Sequence, residues 1–181
     1  MDKQTESAAR EATPNHRPVS VEDGEYVVDV ERTRLGFRAK AFCLTWVNGT
    51  LKAHSGLIGV QGGTISGRGS ADAASVDTRL RVRNWHLRTG HYLHAKRHPE
   101  VQLRVDGTAI AAAEMIVTLR VREQDLRFPM RIDQVEAFDD ELIVKLSGTF
   151  DRRGLGMLPR LMGVSRLIHL DLMIVSRRRS S

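Results

Sequence analysis

The stretch SVDTRLRVRNWHLRTGHYLHAKRHPEVQLRV, residues 75–105, decides how the rest of the chain is read. Val76, Thr78, Leu80 and Val82 alternate with Asp77, Arg79, Arg81 and Arg83, the period of two that gives a strand one buried and one wet side. Val101, Leu103 and Val105 repeat it against Gln102 and Arg104. Between the two runs, Leu87, Tyr92 and Leu93 stand among polar residues, and Pro99 stops any helix at or before His98. The spacing predicts a strand, a short helix near residues 87–97, and a second strand.

Working outward, strand patterns recur at residues 26–30, 35–42, 45–53, 55–61, 114–122, 126–135, 141–150 and 167–175, and residues 65–82 and 101–110 carry the two strands of the opening stretch. Gly62-Gly63 and Asp139-Asp140 supply short hairpin turns, and residues 123–125 a three-residue one. Long helical segments do not alternate with these strands, which argues against a parallel α/β sheet. Apolar lines such as Met115, Val117, Leu119, Val121 and Leu126, Phe128, Met130, Ile132 converge on one interior. Leu142, Val144, Leu146 and Ile168, Leu170, Leu172, Ile174 add two more, and Leu35, Phe37, Ala39, Ala41 a fifth. The class is all-β, an antiparallel sandwich or closed barrel. In a barrel of about eight strands side chains just fill the interior, or leave room for one small ligand, and periodicity does not choose between the two.

At 181 residues the chain suits one domain, read as residues 21–176 between a disordered tail (1–20) and a basic tail (177–181). No apolar run approaches the roughly 20 residues that span a bilayer, and residues 1–20 lack the apolar core of a secretory signal. The single cysteine, Cys43, allows no internal disulfide; together these point to a cytoplasmic protein. Half of the net charge of +6 sits in Arg177, Arg178 and Arg179, and the other arginines alternate along strands, so nucleic acid is not the expected partner.

The run SVDT (75–78), then HLRTG with Tyr92-Leu93, then HPEVQL (98–103), resembles the YceI-like family of lipid- and polyisoprenoid-binding proteins. His86, Leu87, Arg88, Tyr92, Leu93, Pro99, Val101 and Leu103 match its pattern in order and spacing, and YVVD (26–29), LGF (35–37) and NGTL (48–51) look like its opening elements. The likeness covers roughly residues 25–176, although Lys40 precedes Ala41 where family members usually carry a Lys-His pair. It implies a lipocalin-like barrel around an elongated apolar pocket, and hence non-covalent carriage, transport or sequestration of a long-chain lipid such as an isoprenoid or fatty-acid-like molecule.

The expected pocket comprises Phe37, Phe42, Trp46, Leu80, Trp85, Leu87, Leu93, Leu103, Val117, Leu119, Phe128, Met130, Phe150, Met157 and Leu172. Asn48, His86 and Arg88 are the polar groups expected at its mouth, and GLGMLPRLMG (154–163) reads as a flap there. His91, His94 and His98 would share one face if their segment were helical, a weaker pattern for zinc or a metal-dependent enzyme with His86. No catalytic constellation is found: GGTISGRG (62–69) lacks the Lys-Ser/Thr of a phosphate loop. No cofactor is expected. The other reading is a ligand-free barrel acting as an interaction module, in a homodimer or with the arginine tail (Arg177, Arg178, Arg179) on an acidic partner or membrane surface.

Overall fold

The computed structural model describes residues 20–41, 45–157 and 163–179. Its strands are β1 (Gly24–Val28), β2 (Arg34–Ala41), β3 (Thr45–Gln61), β4 (Thr64–Asp77), β5 (Glu100–Ala109), β6 (Glu114–Val121), β7 (Gln124–Phe138), β8 (Glu141–Asp151) and β9 (Val164–Arg178), with helix α1 (Arg81–Arg88) between β4 and β5. All neighbouring strands are antiparallel, in the order β1-β3-β2-β9-β8-β7-β6-β5-β4, and a further β3–β4 ladder closes the ring.

β1 and β2 occupy one place in the wall. β1 pairs with residues 57–60 of β3 and 176–178 of β9, while β2 pairs with residues 45–51 of β3 and 164–173 of β9. The closed barrel is therefore eight strands around, as the sequence leads one to expect. Where β1 breaks off, buried Thr33 repairs the ladder: its Oγ1 accepts from the Val175 N–H at 3.2 Å and donates to the Val175 carbonyl at 3.3 Å. Such pairing is obligatory for backbone groups shut away from water. Register shifts at Ala53/Ser55 in β3 and Ile132/Gln134 in β7 bend the long strands around the axis. The gap between the two predicted strands at residues 45–53 and 55–61 is the first of these bulges, inside a single strand.

Three expectations need correcting. The alternation through Val82 does not make a strand; β4 ends at Asp77, and the helix lies at Arg81–Arg88 rather than 87–97. The cause is a polar knot. Asn84 Oδ1 accepts from both the backbone N–H and the hydroxyl of Thr78, at 2.8 and 2.6 Å, while its amide donates to Asp77 Oδ1 at 2.8 Å. Arg79 turns the chain with a left-handed φ of 62°, its N–H donating to Asp77. That N–H, then the Asn84 amide, hold the Asp77 carboxyl below its ordinary pKa. Residues 89–98 follow as turns, with Tyr92 and Ala95 buried. Second, the β6–β7 hairpin is a two-residue turn at Arg122 and Glu123, since Val121 pairs with Gln124. Third, Arg177 and Arg178 end β9, and Arg178 and Arg179 pair with Glu22 and Glu25, so these arginines belong to the barrel wall. The expected N-terminal tail lies, apart from Ser20, outside the described residues.

Registers assign the barrel's two ends. One end gathers α1, the close of β2, β4 and β8, and the start of β3, β5 and β9; the other gathers the Gly62-Gly63 and Asp139-Asp140 hairpins and the close of β9.

Candidate functional site: an apolar cavity inside the barrel

The strands enclose a cavity of about 320 Å³ whose lining is almost wholly apolar. Its size falls at the lower end of the 300–1,000 Å³ or so typical of small-molecule pockets. Small inward residues create the space: Ala39 and Ala41 on β2, Ala53 on β3, and Gly67, Gly69 and Ala71 on β4 all line it. Across from them, β5, β8 and β9 present Val101, Leu103, Leu146, Phe150, Leu170 and Leu172. Phe37 lies over Gly49, its cross-strand partner, and a Cβ there would overlap the ring. That glycine lets the aromatic ring lie flat along the wall.

Of the expected pocket residues, Phe37, Leu87, Leu93, Leu103, Leu119, Phe150, Met157 and Leu172 line the cavity. Val117, Phe128 and Met130 are buried but lie outside the lining, and none of β7 contributes to it. Their side chains instead make up the solid side of the core, where Phe128 packs against Phe150 with ring centroids 5.3 Å apart. Trp46, Leu80 and Trp85 are exposed and do not reach the cavity. On β3 it is Val47 and Leu51 that face inward, so alternation sends Trp46 and Asn48 outward. Phe42 lies outside the described residues, as do Leu158, Leu161 and Met162 of the expected flap. At its start, Gly154 and Leu155 close a 3-10 turn that begins at Arg152, with Leu155 fully buried.

The α1 end carries the polar groups. His86 and Leu87 of α1 reach the cavity together with Arg83, whose guanidinium donates to the Thr78 hydroxyl and carbonyl at 2.7 and 2.6 Å. His86 Nδ1 is shut off from water and has no hydrogen-bond partner among the described residues. Arg88 is exposed and donates to the Val76 carbonyl at 3.2 Å, and Asn48 faces solvent. Arg152, only 2% exposed, lines the cavity and donates to the carbonyls of Met157, Val164 and Ser165. It thereby clasps the two flanks of residues 158–162. Arg122 joins Gly90 to Leu155 through their carbonyls, at 3.1 and 2.6 Å.

The histidine pattern does not assemble a metal site. His94 and His98 approach edge to face with centroids 5.5 Å apart, but His91 is exposed, and no group of three metal-ligating side chains converges among the described residues. The helix expected to align them lies one segment earlier, and His94 itself takes a left-handed φ of 52°.

Sequence reasoning placed Ala39 and Ala41 inward but missed the small residues of β4 that hollow the barrel. Their signal was present: Gly67, Gly69, Ala71 and Ala73 alternate along β4 at the spacing of inward positions. No described helix is long and apolar enough to cross a membrane.

Solved structures share this architecture. The Burkholderia cenocepacia BcnA structure superposes with a TM-score of 0.72 at 13% identity, over 82% of this chain and 98% of that one. A polyisoprenoid binding domain from Saccharophagus degradans gives 0.66 at 15% identity, over 85% and 98%. The Campylobacter jejuni YCEI protein gives 0.61 at 18%, over 76% and 88%. None of the curated protein sequences compared is a match. At these identities the likeness is one of fold, but the YceI-like domain profile matches residues 26–175, nearly the whole barrel, and the chain belongs to the YceI-like family.

Proposed function

We propose that this protein binds an apolar long-chain molecule, of the isoprenoid or fatty-acid-like class, inside the barrel and carries or sequesters it there. The observation that carries this reading is the enclosed cavity of about 320 Å³ with its nearly unbroken apolar lining. Each methylene moved from water into such a lining contributes about 0.8 kcal/mol, so a chain binds with few polar contacts. The preformed wall limits the ordering that binding would otherwise require. The single polar end of such a ligand lies toward α1, where His86 Nδ1 has no protein partner among the described residues. The described polyisoprenoid-binding character of the Saccharophagus degradans domain supports the isoprenoid branch of the class.

The test is native purification, organic extraction and lipid mass spectrometry, followed by titration of the emptied protein with a polyprenyl alcohol and a fatty acid. A stoichiometric long-chain molecule, or saturable binding of either probe, is the expected result. An empty extract together with no binding of either probe overturns the reading.

A further inference from the structure

Helix α1 is amphipathic in the reverse of the usual sense. The face it turns to the cavity carries Arg83 and His86 along with Leu87, whereas Val82 and Trp85 point outward with 61% and 63% of their surface exposed. Leu80, just before the helix, is 50% exposed. A helix covering a core normally does the opposite. Trp46, the chain's other tryptophan, is also exposed at this end, with the charged ends of Arg38 and Lys40 5.4 and 5.2 Å from its ring centroid. Of the eight large apolar side chains exposed among the described residues, five sit at the α1 end, Leu167 being the fifth.

The charge at this end has the same one-sidedness. From residue 78 to residue 99 there is no Asp or Glu, while Arg79, Arg81, Arg83, Arg88, Lys96 and Arg97 bring six cations. None of the six forms an ion pair among the described residues. The far end is built differently: Arg32 and Arg177 share Glu141, and Arg178 and Arg179 meet Glu22 and Glu25. The rim at the α1 end has pairs of its own, Arg153 and Arg166 with Asp151 and Arg120 with Asp125, and Asp77 lies near Arg79 and Arg88, but the segment from residue 78 to residue 99 keeps a cationic excess around exposed Trp85.

We propose that the α1 end of the barrel is a docking surface for an anionic lipid bilayer. Trp85, Val82 and Leu80 enter the interfacial layer, and the exposed Arg79, Arg81 and Arg88 beside them meet lipid phosphates. Aromatic and aliphatic groups flanked by long cationic side chains are the chemistry that membrane interfaces select. The inference extends the cavity reading, because it seats the α1 end of the pocket on the phase in which an apolar ligand resides. It commits to a bilayer rather than to an acidic protein or nucleic acid because the exposed apolar groups and the cationic excess coincide at the cavity's α1 end.

The experiment is vesicle co-sedimentation of the full chain. It compares phosphatidylcholine vesicles with vesicles in which part of the phosphatidylcholine is replaced by phosphatidylglycerol. The expected result is partitioning onto the anionic vesicles only, lost at high salt, with a blue shift of tryptophan emission. R81E/V82D places two carboxylates in the first turn of α1, where the helix dipole favours them, so the fold is preserved. It should lower partitioning by at least about tenfold. F138D, an exposed apolar position at the opposite end, should leave it unchanged. No binding to either vesicle, equal binding to both, or equal binding by wild type and R81E/V82D overturns the proposal. Lipid extraction from the same preparations separates the two readings: a filled cavity without docking removes only the surface, and docking with an empty, probe-indifferent barrel removes only the pocket.

Discussion

On either side of the barrel axis, β3 and its neighbours face β7 and its neighbours, and the two walls use one alternating pattern to opposite ends. Along β7 the inward positions before its bulge are large: Phe128, Met130 and Ile132 are buried and meet other side chains. Along β2, β3 and β4 many are Gly or Ala, and they meet space. Alternation decides which residues point inward, but side-chain volume decides whether the inside is full. A barrel of this size stands at the boundary between filled and hollow, and a few small residues on one wall move it across.

The comparison can be broken by substitution. In the solid wall, Met130→Ala opens a void at a fully buried site and should cost about 2–5 kcal/mol in denaturant unfolding while leaving cavity binding in place. A cost below about 1 kcal/mol would mean the packed side is as loose as the hollow one. At the hollow wall's tightest point, Gly49→Ala sets a methyl against the Phe37 ring, and a loss of about 1–3 kcal/mol is expected, with ligand retention altered as the ring swings inward.

Ala71→Phe probes the space itself. The new ring enters the cavity, so stability should change by less than about 1 kcal/mol while lipid retention, read by mass spectrometry, is lost. Destabilisation on the scale of Met130→Ala would show that no usable space exists there.

The smallest effect is electrostatic. The Arg153 side chain, then its backbone N–H, pull the Asp151 carboxyl down to about 2. A depressed carboxylate stabilises the fold above its unfolded pKa of about 3.9 and loses that contribution as pH falls toward the folded value. Asp151→Asn should therefore be less stable than wild type at pH 6, the gap narrowing below about pH 4 and closing near pH 2. A gap that does not change with pH would assign the effect to capping geometry rather than to charge.

Much of the barrel is legible in the sequence because period two is enforced at every strand, and the lines through Met115, Leu142 and Ile168 each name a real inner face. Trp46 and Phe128 show where residue size misleads. Trp46 falls on the wrong parity of β3, and Phe128 on the right parity of a wall with no space in front of it. The misplaced helix has another cause. Leu80 and Val82 continue the strand rhythm by accident, whereas the turn is set by Asp77, Thr78 and Asn84 bonding to one another. Side-chain knots of that kind have no period to detect. The hollow depended on noticing which inward residues were small, a signal carried by Gly67, Gly69 and Ala71 rather than by any large apolar group.

The sharing of one wall position by β1 and β2 also constrains the order in which the molecule can assemble. β9 is hydrogen-bonded to β8 on one side and to both β1 and β2 on the other, with partners as far apart in sequence as Tyr26 and Arg178. Until β9 is in place, the sheet is an open strip whose two edges, β2 and β8, display unpaired backbone groups to any passing strand. Ring closure through β9 is thus the most non-local pairing of the fold, the kind that slows folding and prolongs exposure to aggregation. The nascent chain must hold an incomplete wall until its final ladder zips shut.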